Sequence, residues 1–577
     1  MRILGINDDQ ADVSAALVSD GQVLAALEEE RFNRVKHTTG FPAEAIRGCL
    51  RIAGIDGSGV DRIALNGSPR ANAARRVLSA ARHPPSPGQA WSRIRDLQRQ
   101  GDTVADALSE ALSLSPEQLP ARERVEHHVS HLASAYFASP FEEAAICSMD
   151  GVGDFVCTAL AHGERGGLRV LDRTYYPHSL GLLYTAVTRY LGFSRPLEEY
   201  KVMGLAAHGS PAVVDELGSL VELGEDGGYR LDTSFFANHG RPLDPAPDGS
   251  PVARRLYGPR LERLLGPARG REDPIEARHE DIAHSLQTVF ERAAVHVLRD
   301  LWRRTRSPRL CVAGGCFMNS VLNGKILEQT PFEELFVQPA GGDSGTALGA
   351  AFSVGSGERG TMEHAYLGTA HGRPEVDRAL EALSASGGDY EVTSLPDGEL
   401  ARLTATLLAD GDVIGWFRGR MEFGARALGA RSILADPRRR EVPDRLNSTV
   451  KARESFRPFG ASVLESELGE YFEGAAPDPF MVQVHRVRPA MRSAIPAVTH
   501  VDGSSRPHTV TAGPNTVYHD VIRAFHDRTG VPMVLNTSFN RDEPIVESPQ
   551  QAVDCFVRGG LDALVLEDTL VRRRTAP

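Results

Sequence analysis

The residues best placed to do chemistry are two histidines four apart and two glycine-flanked aspartates. They are His127 and His131 in EHHVSHLASAY, Asp150 in CSMDGVGD and Asp343 in PAGGDSGTALGAA. Side chains at i and i+4 share one helix face, so both imidazoles can reach one ion. Two nitrogens with one or two carboxylate oxygens suit a divalent transition metal better than calcium or magnesium. Each aspartate follows an apolar run and sits beside glycine, the pattern of a strand ending in a tight loop, where α/β folds hold ligands. A lone HxxxH is more often a solvated helix face. The aspartates turn the reading toward metal, provided the fold brings all four together.

A second group is marked by an imbalance among the cations. Of 64 basic residues only Lys36, Lys201, Lys325 and Lys451 are lysine. A GC-rich coding bias explains the arginines but not the four exceptions. Arginine is a planar fork and lysine a compact point charge, so a site shaped for one rejects the other. The four lysines are therefore candidates for binding phosphate or carboxylate. Further forks and donors lie toward the C-terminus: Arg420 and Arg426 in RGRMEFGARALGARS, Lys451 and Arg457 in VKARESFRPFG, Arg506 in SSRPHTV, and Asn536, Thr537 and Ser538 in LNTSFN. Surface salt bridges would account for them equally, but the glycine and small residues around them favour a recessed anion pocket.

Composition bounds the class. The chain has 577 residues, a formal charge of −12 and 41% hydrophobic residues, with a mean hydropathy of −0.25. That length predicts several domains with buried cores. The acidic balance argues against a general nucleic-acid binder. No apolar run reaches the length of a membrane span, and MRILGINDD reads directly as a strand without a signal peptide. Six cysteines without a CxxC pair read as buried reduced thiols, so a cytoplasmic protein is expected.

The elements that would position these residues form a repeat. RILGIN reads as a strand, followed by a polar loop from Asp8 to Asp12, a strand SAALVSDG turning at Asp20-Gly21, and a third strand QVLAAL. The grammar returns at 143–173, where EAAICSMD enters the loop GVGD, FVCTALAHG follows, and a Gly-rich turn leads to LRVLDRTYY. The duplication suggests two homologous lobes, the architecture of actin-like and sugar-kinase-like ATPases. RVLSAARHPPSPGQAW and residues 238–255 read as surface loops. Residues 281–300 predict an amphipathic core helix. RLCVAGGCFMNSVLNGKIL predicts a strand breaking at Gly314-Gly315, then a helix bearing Asn319 and Asn323; a glycine pair there admits a nucleotide closely. A composition shift near 355–373 marks the main boundary, giving domains 1–360 and 361–577. The second, with short strands DVIGWFRG, PFMVQVHRV, VPMVLNT and DALVLED, reads as α+β.

The strings LEEERFNRVKHTTGFP, EYKVMGLAAHG, GGCFMNSVLNGK, GRMEFGARALGARSI, FRPF and LNTSFN closely resemble the nodulation-protein-U type of O-carbamoyltransferase, which includes the tobramycin and geldanamycin carbamoyltransferases. The likeness runs in order from about residue 1 to 575. It implies a fold of α/β plus α+β: an N-terminal actin-like, two-lobed domain resembling tRNA threonylcarbamoyltransferase, and a C-terminal domain resembling threonylcarbamoyl-AMP synthase. It also implies that ATP and carbamoyl phosphate yield carbamoyl adenylate in the C-terminal domain, at Arg426, Lys451, Arg457, Arg506, Asn536 and Ser538. The adenylate would pass internally to the N-terminal domain. There a metal, iron by resemblance, held by His127, His131, Asp150 and Asp343 would anchor its phosphate, with Lys36 and the Asn319 loop nearby. Gly314, Gly315 and Lys201 join Asn319 among the expected nucleotide- and phosphate-binding positions.

Two departures from the family pattern stand out. Ala11 occupies the place where the family usually has a histidine that helps deprotonate the acceptor, although Asp12 remains; Asp8, Asp9 and Asp12 are then the candidates for that base. FGARALG and FRPFGA each lack a family proline, which bears on loop rigidity more than on chemistry. The expected function is carbamoyl transfer to a hydroxyl of a small natural product, as in antibiotic biosynthesis. The alternatives are an amine or other unusual acceptor, or a degenerate nucleotide-binding regulator. No nucleic acid or membrane partner is expected, and a homodimer is compatible with the sequence.

Overall fold

A computed structural model describes residues 1–8, 11–82, 104–165, 167–237, 256–355 and 359–574. The Pro-rich segment within 83–103, residues 238–255, and Asp9 lie outside the described residues. The chain divides into two compact units: Met1–Glu30 with His37–Met362, and Arg31–Lys36 with Glu363–Pro577.

The first unit contains two five-stranded mixed sheets built to one plan. In the first, Gln22–Glu28, Ser14–Ser19, Arg2–Asn7, Arg62–Asn66 and Ala121–Val125 lie side by side in that order. In the second the order is Gly167–Tyr175, Val156–Glu164, Ala144–Gly153, Arg309–Ala313 and Glu334–Val337. Each has two antiparallel pairings followed by two parallel ones. The repeated strand grammar is thus a repeated topology. Asp20 and Gly21 turn the first hairpin with φ of 47° and 81°, as a two-residue turn matched to strand twist requires.

The second repeat differs from its sequence reading at GVGD. The strand Ala144–Gly153 runs through these glycines, and Asp154 and Phe155 make the turn with φ of 49° and 73°. A register shift between Met149 and Gly153 falls on the strand that carries Asp150. Such irregularities re-aim side chains beside functional sites.

Two helices converge in this unit because their facing residues are small. The helix Ser344–Val354 (SGTALGAAFSV) packs on the helix His127–Tyr136 and on the first strand. A Cβ on Gly349 would overlap the carbonyl of Ser130, so the approach depends on glycine. The long helix Ala277–Thr305 buries Ile282, Leu286, Val289, Phe290, Ala293 and Val297, the face expected from its periodicity.

The second unit is α+β. One eight-stranded sheet runs Tyr390–Ser394, Thr569–Arg573, Ala563–Leu566, Ile414–Phe417, Arg431–Ala435, Met533–Ser538, Gly460–Leu464 and Pro507–Val510. Helices Asp397–Asp410 and Thr516–Thr529 pack together, as do Arg373–Ala385 and Pro549–Gly559. The apolar run PFMVQVHRV does not extend as a strand beyond His485–Arg486. The carboxylate of Asp478 accepts from the backbone N–H groups of Phe480, Val482 and Gln483, which diverts those amides from a ladder. All six cysteines are buried and unpaired with one another. Among the described residues no helix is long and apolar enough to cross a membrane.

Candidate active site

His127 and His131 open the helix His127–Tyr136, and both are fully buried. Their Nε2 atoms lie 3.1 Å apart. His127 Nε2 is 3.4 Å from Asp150 Oδ2 and 3.6 Å from Asp343 Oδ1, and His131 Nε2 is 3.5 Å from Asp343 Oδ1. Donors held about 2.1 Å from one ion at tetrahedral or octahedral angles lie roughly 3.0–3.4 Å from each other. Four of the six pairs therefore lie near the spacing of a single coordination shell, all four donors fall within 4.8 Å of one another, and they could hold a metal ion.

Several groups fix these ligands. Asp343 stands at the N-cap of the helix Ser344–Val354. Gly315 donates its N–H to Asp150 Oδ1 at 2.9 Å, and Gly314, at φ 98°, lets the turn meet the Met149 backbone where a Cβ would collide. Of the glycine pair, expected to admit a nucleotide, Gly315 thus seats the carboxylate of Asp150. Asp154 Oδ2 accepts from the N–H of His127 at 2.9 Å and of Ser68 at 2.7 Å, while its Oδ1 meets Arg76 at 3.0 Å. Asp154 was visible in GVGD only as a loop residue, since nothing local says which amide it will cap. His128, between them in sequence, bonds Ser148 Oγ through Nδ1 and the Val156 carbonyl through Nε2, so both its ring nitrogens are engaged by the protein.

The electrostatics suit an ion. Burial, then His127, push the His131 imidazole down to about 3, leaving it neutral with a lone pair to offer. Burial and the charge of Asp150 push the Asp343 carboxyl up, while the neighbouring imidazoles hold Asp150 low. A proton on Asp343 competes with a cation, so apparent metal affinity should rise as pH increases through neutrality, with proton release on binding. Titration calorimetry in buffers of different ionisation enthalpy checks this.

Two further substitutions probe the support. A Cβ on Gly153 would overlap the His127 ring, so Gly153→Ala should displace that ligand and lower metal occupancy. Asn66 Nδ2 lies 3.3 Å from His127 Nδ1 and donates to Asn7 Oδ1 at 3.1 Å, bracing the ring on the side opposite the Nε2 that faces the other three groups. Asn66→Ala should weaken metal binding about 10- to 100-fold, the usual cost of losing such a partner. Competition with a metal-chelating dye measures both.

A second chemical site lies in the other unit. Arg426, Lys451, Arg453, Arg457 and Arg506 lie close enough to bear on one another's charge, with Lys36 bearing on Lys451. Burial, then Arg426 and Arg453, hold Arg506 well below the usual guanidinium range. Burial, then Arg453, hold Lys451 low as well, and burial brings Arg426 to about 10. Opposing them are Asp478, buried and itself raised to about 6, and Glu454, 3.8 Å from Arg457. Crowded, partly buried cations of this kind are what a polyanion stabilises.

Local structure explains the crowding. A wide turn, Leu446–Val450, delivers Lys451, and Ala452 follows at φ 47°. Lys451 Nζ donates to the backbone and Oγ of Ser538 and, at 2.8 Å, to Asn540 Oδ1. Glu422 Oε1 accepts from the N–H groups of Leu428, Ala430 and Arg431, and Asn536 Nδ2 donates to Ala427 O, so the loop bearing Arg426 is pinned. Asn536 thus clasps this loop, and its amide also donates to Ser462 Oγ. Arg453 was missed in the sequence, although VKARESFR spaces it between two expected cations.

Among the described residues, the remaining expected positions each have identifiable partners. Lys36 belongs to the second unit and not to that of the metal cluster, because Arg31 donates to Gly424 O and Arg34 to Pro544 O and Ile545 O, drawing 31–36 into that unit. Lys201 pairs with Glu198 at 2.7 Å over the ring of Phe193, and Lys325 with Glu291 at 2.7 Å, so these charges are answered locally. Asn319 caps the helix Ser320–Gln329 and bonds Gln287. Asp12 meets His37 across 2.8 Å, and Asp8 meets Arg124 at 3.4 Å.

Residues 2–352 match the carbamoyltransferase N-terminus family and residues 405–573 the carbamoyltransferase C-terminus family. The chain belongs to the carbamoyltransferase family. The nodulation protein NolNO of Sinorhizobium fredii is 42% identical over 98% of this carbamoyltransferase and 79% of its own length. An uncharacterized protein of Synechocystis is 38% identical over 100% and 97%. Nodulation protein U of Rhizobium tropici is 29% identical over 94% and 91%. Among solved structures, the HypF of T. kodakarensis aligns at a TM-score of 0.31 with 14% identity, over 62% of this chain and 47% of its own, a similarity that says nothing of activity. The carbamoyltransferase is accordingly an enzyme of carbamoyl transfer, as its resemblance to nodulation protein U implied.

Proposed function

We propose that this carbamoyltransferase uses ATP and carbamoyl phosphate to make carbamoyl adenylate, and transfers the carbamoyl group to a hydroxyl of a small natural product. The observation that carries this reading is the pairing of two unlike sites in one chain: a buried nest of cations in one unit and a four-donor cluster in the other. Arg426, Lys451, Arg453, Arg457 and Arg506 neutralise charge on the phosphoryl oxygens of ATP and carbamoyl phosphate, which needs positioning and fixed charge more than covalent help. Arg457 and Arg506 meet the reacting phosphates, while Lys451 also holds the Ser538–Asn540 turn in place. Lys36 adds charge to that same site.

In the first unit His127, His131, Asp150 and Asp343 would hold a divalent metal, iron on the strength of the resemblance. When bound, the metal supplies Lewis-acid stabilisation to the phosphate of the adenylate. The two-sheet repeat supports the actin-like reading of this unit, and the second unit's eight-stranded mixed sheet supports an adenylate-forming partner. The acceptor is a small-molecule alcohol, and the protein acts in the cytoplasm.

Incubation of the protein with ATP and carbamoyl phosphate tests the reading. AMP and pyrophosphate should appear together, and only when both substrates are present. Release of ADP, or no nucleotide turnover with either substrate, would overturn it.

A further inference from the structure

Transfer to a hydroxyl needs a group that takes the proton, and the four cluster residues cannot serve while they hold an ion. Ala11, in the first loop, offers no acceptor. The structure places a different pair there. His37 Nδ1 lies 2.8 Å from Asp12 Oδ1, with side chains 30% and 25% exposed, so the pair is neither core nor fully solvated. Both residues sit in the left-handed region, His37 at φ 55° and Asp12 at φ 56°. Strained backbone held by its surroundings concentrates at functional sites.

The surroundings here are specific. Glu30 Oε2 accepts the backbone N–H of His37 at 2.8 Å, and Val13 N–H reaches Thr38 O at 3.4 Å, which ties the two strained positions together. The loop is also tied to the metal cluster. Asn7 Nδ2 donates to Ala11 O at 3.3 Å and to Asp12 O at 3.1 Å; Asn7 Oδ1 accepts from Asn66, and Asn66 reaches His127. A short chain of buried amides therefore fixes the His37–Asp12 pair relative to a ligand of the cluster. A histidine whose Nδ1–H is held by a carboxylate keeps its lone pair on Nε2 and is stabilised when that nitrogen takes a proton.

We propose that His37 is the general base of carbamoyl transfer, with Asp12 as its positioning residue. The proposal rests on the reading given under Proposed function. His37 Nε2 takes the hydroxyl proton as the acceptor oxygen bonds to the carbamoyl carbon. The bond from that carbon to the phosphate oxygen breaks, and its electron pair leaves with AMP. Asp12 compensates the charge gained by the imidazole.

The test compares two nucleophiles, 2,2,2-trifluoroethanol, which must lose its proton, and hydroxylamine, which attacks with a ready lone pair. His37→Gln should slow carbamoyl transfer to trifluoroethanol by about 10²–10⁴-fold, the usual contribution of a general base. Capture by hydroxylamine should change only a few-fold. His37→Gly suits the positive φ and leaves space for added imidazole, which should restore transfer to trifluoroethanol. Asp12→Asn should reproduce a smaller loss without imidazole rescue. Equal loss with both nucleophiles and no rescue in His37→Gly would reduce His37 to a structural role, and wild-type rates in His37→Gln would remove it altogether. Pyrophosphate release by the wild-type protein is scored in the same tubes; its absence would sink the parent reading and this role with it.

Discussion

Replacing His131 with Gln and Asp343 with Asn together should strip the protein of bound metal and reduce carbamoyl transfer by about 10³-fold or more. The magnitude follows from losing two of four donors, when a Lewis acid contributes several kcal/mol and each 1.4 kcal/mol is tenfold in rate. The substitutions are close in size to the native side chains, so the fully buried His131 leaves little void. Asp343→Asn alone carries a second, opposite expectation. Burial and the Asp150 charge raise the Asp343 carboxyl, so without metal its ionised form costs stability at neutral pH. Below its ordinary range the group is protonated in both folded and unfolded chains and the cost vanishes; it grows as pH rises through that range. The metal-free Asp343→Asn protein should therefore melt at or above the metal-free wild type at neutral pH. Adding metal should raise the melting temperature of the wild type and leave the double variant unmoved. Elemental analysis and paired melts check both; full occupancy in the double variant would refute the ligand assignment.

The second large effect belongs to the cation nest. Arg506→Ala should lower pyrophosphate release from ATP plus carbamoyl phosphate by about 10²–10³-fold, the scale for losing one preorganised charge donor. Arg506 is held low by burial and by Arg426, Arg453 and Arg457, so its removal also relieves repulsion. Stability should accordingly hold or rise while the reaction fails. Lys451→Met behaves differently, because Asn540 Oδ1 and the Ser538 carbonyl lose their donor, and it should cost stability as well as activity. Pyrophosphate release and thermal melts, read on both variants, separate a charge that serves substrate from one that also serves the fold.

The sequence made the first unit legible where local grammar repeats. A strand, loop and hairpin grammar that appears twice announced two sheets of one topology. The four metal-type ligands were readable because type and spacing were both unusual. What stayed hidden depends on long-range contact. Lys36 sits in a motif beside His37, yet Arg31 and Arg34 carry 31–36 to the second unit through carbonyls some 400–500 residues away. The partners of Asn319 and Asn536 stayed hidden for the same reason: a polar side chain near glycines suits a ligand or a cap equally well until the fold supplies its neighbours. PFMVQV looked like a strand because apolar composition does not reveal that Asp478 will capture its amides. His37 passed without notice, since nothing in RVKHTTG says that its ring meets Asp12.

The central claim is that each site runs its own step. Single-turnover pyrophosphate release, measured side by side in His131→Gln/Asp343→Asn and in Arg506→Ala, tests it most directly. Release should stay near wild type in the first and fall by about 10²–10³-fold in the second. Equal loss of release in both proteins would contradict it.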